Sequence, residues 1–229
     1  RFASVIGVAF DESRPHLGRR RVVQTGMPLR RALREAPPPA APRAGGRFTV
    51  LVMGGSRGAS ALNRHVTGAL ALLKAQGRDV AAIHLAGKAD ADEVRAAYAL
   101  AHVPAEVHTF LHDMAGAYAR ADIAICRAGS STCAELCHCG VASILVPYPH
   151  ATNDHQAANA RVLERGGAAA VLLEGSLSAD SLAGLVRDWQ SDPERIERMR
   201  MAARRAMMPN ADRRLAELVE QAALEGGAS

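Results

Sequence analysis

Two short glycine-rich stretches contain residue types suited to holding an anion. The first, Met53-Gly54-Gly55-Ser56-Arg57-Gly58, ends an apolar run and leads into a segment of helical period. Glycines at such a turn let the backbone approach a ligand, and free N–H groups at the helix start can hold a phosphate near Ser56. Tight strand-to-helix connections also use glycine for steric reasons alone, with no ligand present. The second, Arg127-Ala128-Gly129-Ser130-Ser131-Thr132, again sets small hydroxyl residues at a helix start, followed by Cys133, Ala134 and Glu135. Exposed N–H groups at Ser130, Ser131 and Thr132, with the helix dipole behind them, suit a diphosphate. Thr132 and Glu135 also satisfy T-x-x-E, so the carboxylate has two open uses. It can close a capping box on the Thr132 N–H, or accept hydrogen bonds from the two hydroxyls of a ribose.

A third polar cluster follows Val146-Pro147-Tyr148-Pro149-His150, where Asn153, Asp154, His155 and Gln156 open a helix that continues through Asn159. Amides there can hydrogen-bond sugar hydroxyls; equally, Asn153 or Asp154 can be an ordinary N-cap with His150 and His155 solvated. A metal on His150, Asp154 and His155 is disfavoured, because a loop with two prolines does not fix ligand geometry by spacing. Phe110 and Leu111 can wall a flat base whose edge a backbone group reads, and Asp113 can simply cap the short helix that ends near Arg120. Cys126, Cys133, Cys137 and Cys139 lack paired C-x-x-C spacing and read as reduced, buried thiols.

The elements that must position these residues are legible as alternating runs. Phe48–Met53, Val80–Leu85, Glu106–Phe110, Asp122–Cys126, Ser143–Val146 and Ala168–Leu173 read as strands separated by helices, which implies an α/β fold on a parallel six-stranded sheet. Leu62, Val66, Ala69, Leu70 and Leu73 form one apolar helical stripe, as do Val94, Ala97, Tyr98 and Ala101. Beyond Ser178 the pattern is helical through Leu182–Trp189, Ile196–Met207 and Asp212–Leu224, punctuated by Pro193 and Pro209. Residues 37–46, rich in proline, alanine and glycine, mark a linker. Before it stand strand-like runs at Phe2–Phe10 and at Val22 and Val23, then a turn at Gly26-Met27-Pro28.

Composition narrows the function classes. The 229 residues are 48% hydrophobic, enough for a full domain core, and contain no apolar run long enough to span a membrane and no signal-peptide order. The net charge of +5 is local: the first 46 residues hold nine Arg against Asp11, Glu12 and Glu35, a balance of +6 that leaves −1 beyond them. With aromatics at only 3%, this is not the basic, aromatic-interleaved surface of a nucleic-acid binder. The chain starts at Arg1, directly in an apolar run, and is expected to be a fragment lacking its true start.

Taken in order, Gly26-x-Pro28-x-Arg30, Gly54-Gly55-Ser56-x-Gly58, Phe110-Leu111-x-Asp113-Met114, Cys126-Arg127-x-Gly129-x-x-Thr132-x-x-Glu135 and Val146 to His150 through Asp154-His155-Gln156-x-x-Asn159-Ala160 resemble the MurG transferases over nearly the whole chain. The resemblance implies the GT-B architecture, two Rossmann-like domains facing across a cleft. On that basis residues 1–36 end the N-terminal acceptor domain, 37–46 link, 47–206 form a Rossmann-like donor domain with helices on both sheet faces, and the 207–229 helix packs back toward the N-terminal domain.

The implied activity is inverting transfer of N-acetylglucosamine from UDP-N-acetylglucosamine to a lipid-linked muramyl-pentapeptide in peptidoglycan synthesis, without cofactor, metal or nucleic acid. By the same resemblance, Arg30 and Ser56 contact the donor diphosphate, and Ser130, Ser131 and Thr132 hold it, with Cys133 and Ala134 alongside. Glu135 binds the ribose, Leu111 reads uracil through its backbone between Phe110 and Met114, and Gln156 meets the sugar hydroxyls. Two departures stand out: Arg57 and Ala157 occupy positions where family members carry Gln. The catalytic base, the acceptor site and the apolar patch that meets the cytoplasmic face of the membrane are expected in the acceptor half, so this chain alone is not expected to turn over. Alternatives are another UDP-sugar GT-B enzyme, a UDP-N-acetylglucosamine 2-epimerase or a stand-alone nucleotide-sugar module. A nicotinamide dehydrogenase is disfavoured because no G-x-G-x-x-G follows Met53.

Overall fold

The computed structural model describes residues 3–35, 46–55 and 59–226. The chain opens with β1 (Val5–Val8), a 3-10 segment at Asp11–Leu17, β2 (Arg21–Gln24) and a single-turn helix, α1 (Arg31–Arg34). Then follow β3 (Phe48–Met53), α2 (Ala59–Ala75), β4 (Val80–Leu85), α3 (Gly87–Leu100), β5 (Ala105–His108), α4 (Met114–Arg120), β6 (Ile123–Cys126) and α5 (Ser130–Cys139). The remainder is β7 (Ala142–Leu145), α6 (His155–Arg165), β8 (Ala169–Val171), α7 (Ala179–Gln190), α8 (Pro193–Ala206) and α9 (Ala211–Gly226). All of the proline-rich linker except Gly46 lies outside the described residues.

Six strands form the expected parallel sheet, in the order β5-β4-β3-β6-β7-β8. From β3 the chain winds outward to β5, then crosses back to β6 and winds the other way. The crevice between β3 and β6 is therefore the topological switch point, where open α/β sheets bind ligands beyond the strand carboxyl ends. Met53 is level with Leu85 on one side and with Cys126 on the other, so the three loops that leave these strands start at one height.

Alternation along β3 builds two cores. Val50 and Val52 pack with α2, α3 and the wholly buried Trp189 of α7, whereas Leu51 and Met53 pack with Met114 and Tyr118 of α4 and Leu136 of α5. The α2 stripe of Leu62, Val66, Ala69, Leu70 and Leu73 is fully buried, and each large side chain so removed from water contributes about 1.5–3 kcal/mol. Helix starts follow local chemistry: Ser178 and Ser181 form a capping box on α7, and Asp192 accepts from Arg195 N–H at 2.9 Å with Pro193 at the first position of α8.

Two differences from the sequence expectation have physical causes. β5 ends at His108 and leaves Phe110 63% exposed, because β5 is an edge strand and the last sheet bond near it is Ala86 N–H to His108 O at 3.0 Å. Helix α1 was not expected, since four residues with only Leu33 buried carry no readable period. Beside α1, α9 runs along the first segment: Leu215 lies against Gly7, Arg21 meets Glu225 at 2.9 Å, and Arg34 pairs with Asp212. Gly26, at φ +80, admits this return of the chain, since a Cβ there would fall 2.8 Å from Met208 Cβ.

Candidate functional site

A cleft of about 630 Å³ opens over the carboxyl ends of β3, β4 and β6. Of the residues singled out in the sequence, it gathers Arg30, Phe110, Leu111, Met114, Thr132 and Glu135. Gly55 and Ser60 flank the first glycine turn there, while Ser56, Arg57 and Gly58 lie outside the described residues. Leu85, Leu111 and Met114 give one end of the cleft an apolar wall, and Arg30, Lys88 and the start of α5 give the other parts positive character.

Helix α5 begins without a side-chain cap. Its N-cap is Gly129, and Cys133 N–H is the first helix donor bonded back, to Gly129 O at 2.9 Å. The N–H groups of Ser130, Ser131 and Thr132 thus point out of the helix, where an anion is favoured by both hydrogen bonding and the dipole. The capping-box use of Glu135 is not realised. Its Oε2 instead accepts the Tyr118 hydroxyl at 2.8 Å, and its Oε1 lies 3.8 Å from Arg30 Nη2. Tyr118 is fully buried; burial first, then the Glu135 charge, pushes its pKa well above the ordinary tyrosine value, so it remains a donor. Arg30 is largely exposed and its ion pair is long, a contact worth at most about 1 kcal/mol, so it is free to turn to a ligand.

The turn between β6 and α5 is held from α6. Gln156 Oε1 accepts the N–H groups of Ala128 at 3.2 Å and Tyr148 at 3.0 Å, which leaves its amide nitrogen as the end able to donate. Asn159, whose amide the sequence left open between a sugar contact and a structural role, is buried. Its Nδ2 donates to Ala128 O at 3.0 Å and to Ser130 Oγ at 3.2 Å, so it shapes the loop and leaves the Ser130 hydroxyl to donate elsewhere. Arg127 is buried as well, bonded to Val146 O and Pro147 O and 2.5 Å from Glu174, which ties this turn to the one after β7.

Several residues fall away from the cleft. The Cys133 side chain is wholly buried in the core beneath α5, and Ala134 faces a separate apolar crevice with Met27, Leu29 and Met207. All four cysteines are buried and unpaired, and burial raises every thiol pKa, for Cys126, Cys137 and Cys139 to about 12. Asp113 caps α4, accepting Gly116 N–H at 2.8 Å. His155 bonds Thr152 O at 2.7 Å. Another hollow, of about 390 Å³, lies at the amino ends of β3, β4, β5 and β6, but its charged residues are paired: Arg120 with Glu106 at 2.5 Å, Arg47 with Asp79 at 3.1 Å, and Asp122 with Thr49 N–H at 2.7 Å. Ligands of open α/β sheets bind beyond the carboxyl ends of the strands, and we assign this amino-end hollow no ligand.

Tyr118 was missed by sequence reasoning, because a tyrosine on a core-facing helix position carries no motif. Lys88 was missed because Gly87-Lys88 follows β4 without the glycine-rich spacing that marks the other two turns.

Comparison with known proteins places this geometry. Residues 49–217 match the glycosyltransferase family 28 C-terminal domain. The chain is 43% identical over 218 residues to the UDP-N-acetylglucosamine--N-acetylmuramyl-(pentapeptide) pyrophosphoryl-undecaprenol N-acetylglucosamine transferase of Myxococcus xanthus (strain DK1622), covering 95% of this chain and 57% of that protein. The transferase of the same name from Anaeromyxobacter sp. (strain Fw109-5) is 40% identical over 221 residues, again 95% of this chain and 57% of that protein. The crystal structure of Acinetobacter baumannii MurG superposes with a TM-score of 0.76 at 32% identity, over 96% of this chain and 60% of that one. This chain therefore spans somewhat over half the length of the relatives it matches. With the family match running over most of its residues, the chain belongs to glycosyltransferase family 28 and carries that family's C-terminal domain.

Proposed function

We propose that this chain is the donor-binding portion of an inverting transferase that moves N-acetylglucosamine from UDP-N-acetylglucosamine to a lipid-linked muramyl-pentapeptide during peptidoglycan synthesis. The observation that carries this reading is the cleft at the switch point, where an apolar wall, a carboxylate and a bare helix N-terminus converge. Two relatives at 43% and 40% identity whose names state this transfer support the choice of sugar and acceptor.

In this reading uracil lies against Phe110, Leu111 and Met114, and Glu135, oriented by Tyr118, accepts the ribose hydroxyls. The diphosphate meets Ser56, Arg30 and the N–H groups of Ser130, Ser131 and Thr132, while the amide nitrogen of Gln156 donates to the sugar. Cys133 and Ala134 act only through the backbone of α5. The acceptor hydroxyl attacks the anomeric carbon in line, the bond to the diphosphate oxygen breaks, and the charge that grows on the leaving UDP falls on donors already aimed at it. The base that removes the acceptor proton belongs to the acceptor half of the intact enzyme, of which we assign residues 1–36 as the end and residues 207–229 as a helix that returns to it. The 37–46 stretch links it to the 47–206 donor domain. Contact with the lipid acceptor and the cytoplasmic face of the membrane is assigned to that half as well; no helix among the described residues is long and apolar enough to cross a bilayer.

Calorimetric titration tests this reading. UDP-N-acetylglucosamine should bind saturably and more tightly than UDP-glucose, UDP-N-acetylgalactosamine or ADP-glucose. A preference for ADP-glucose, or equal affinity for all four, would contradict it.

A further inference from the structure

The turn between β4 and α3 forms a third wall of the cleft, through Leu85, Ala86, Gly87, Lys88, Ala89 and Asp90. Strand order sets where it stands. The β4 loop lies between the β5 loop, which carries Phe110 and Leu111, and the glycine turn after β3, so its side chains face the ground between the apolar wall and the anion-binding wall.

This turn is anchored from below by a buried chain of hydrogen bonds. Asn63 on α2 donates through Nδ2 to Ala86 O at 3.0 Å and to Asp90 Oδ2 at 2.8 Å. Both partners are acceptors, so the Asn63 oxygen must face His84, whose Nε2 lies 3.0 Å away and therefore carries the ring proton. His84 Nδ1 then accepts the Tyr98 hydroxyl at 2.9 Å. The side-chain nitrogens and oxygens of Asn63, His84 and Tyr98 all have partners, and the three residues are buried. Gly87 enters α3 at φ +77, with open space where a Cβ would be. The result is a rigid turn whose exposed charged side chain at the cleft is Lys88, next to exposed Ala89 and half-buried Asp90.

Lys88 is the second residue of α3, where the helix dipole disfavours a cation. Among the described residues it has no ion-pair partner, and α3, like α5, starts without a side-chain cap. A cation held against the dipole on a pinned turn, facing an anion site, is a local conflict of the kind that marks function. We propose that Lys88 is a further donor-binding residue, pairing with the diphosphate of the nucleotide sugar from the side opposite α5. The inference rests on the donor reading above and adds to it a specific charged contact.

The test compares the wild-type chain with Lys88→Met and Lys88→Arg, titrated with UDP, UDP-N-acetylglucosamine and uridine at two salt concentrations. Lys88 is exposed, so neither change should disturb folding. Lys88→Met should bind both diphosphates about tenfold more weakly and with a shallower salt dependence, leave uridine unchanged, and be largely rescued by Lys88→Arg. Wild-type binding with no loss in Lys88→Met overturns the Lys88 assignment and leaves the donor reading intact. A parallel loss for uridine also overturns it, since Lys88 would then act on the nucleoside. Failure of the wild type to bind UDP removes the donor reading and this assignment together.

Discussion

Two walls of the cleft, the start of α5 and the turn into α3, are held in opposite ways. The α5 wall is braced from the side, by polar groups of α6 and the neighbouring turn: Gln156 and Asn159 hold Ala128, and Arg127 reaches across to Val146, Pro147 and Glu174. The α3 wall is braced from beneath, by His84 inside the sheet acting through Asn63. The first arrangement leaves one bracing group, Gln156, with an amide nitrogen that can also meet the proposed donor. The second keeps the bracing group dry and neutral, so that this wall depends on one proton staying off one imidazole.

The largest expected effect follows from that proton. Burial lowers the His84 pKa from 6.5 to about 4, with Asp90 opposing only in part. Because the folded value is depressed for a base, the unfolded chain binds the proton first as pH falls. The stability tied to neutral His84 is complete above about pH 6.5 and is lost progressively as pH drops toward about 4, a total of about 3 kcal/mol. Urea unfolding across this window should show that slope in the wild type and a flatter one in His84→Gln. Equal slopes would mean that the imidazole is not the sensitive group.

On the other wall the expected effects are on binding and smaller. Glu135→Ala should weaken UDP binding by about tenfold to a hundredfold, the cost of a charge-assisted pair of hydrogen bonds, and lower stability by about 1–3 kcal/mol, because the buried Tyr118 hydroxyl loses its acceptor. Tyr118→Phe removes only the hydroxyl that orients Glu135. Affinity should fall about threefold to tenfold and stability by about 1 kcal/mol, with uracil recognition intact, which isothermal titration and thermal melts together would register. If Tyr118→Phe cost as much as Glu135→Ala, the tyrosine would be contacting the nucleotide itself.

Legibility in the sequence follows the same division. β3 and β4 have the bounds expected from sequence because Val50, Leu51, Val52 and Ile83 are buried on both sheet faces and the strands read as apolar runs interrupted by one polar residue each, Thr49 and His84. The edge strand β5, half exposed, gave a blurred signal, and Phe110 was drawn into it. Residues that act by residue type and position, such as the glycine turns, the hydroxyls of α5 and Glu135, were visible as spacing. Residues that act through a long-range contact were not. Tyr118 reaches Glu135 from the preceding helix, and His84 looks in sequence like a polar interruption of an apolar strand. Asn159 was visible, but its task stayed open, because spacing shows that an amide faces a loop and not whether it bonds the loop or a ligand. Cys133 and Ala134 were swept in by adjacency, although successive helix positions point about 100° apart.

The most direct test of the whole account is a crystal structure of the chain with UDP. The ribose should lie within hydrogen-bond reach of Glu135, with uracil against Leu111 and Met114 and the diphosphate at the N–H groups of Ser130 to Thr132. Nucleotide bound elsewhere, for instance in the neighbouring hollow lined by Asn63, Arg64 and Glu93, would contradict it.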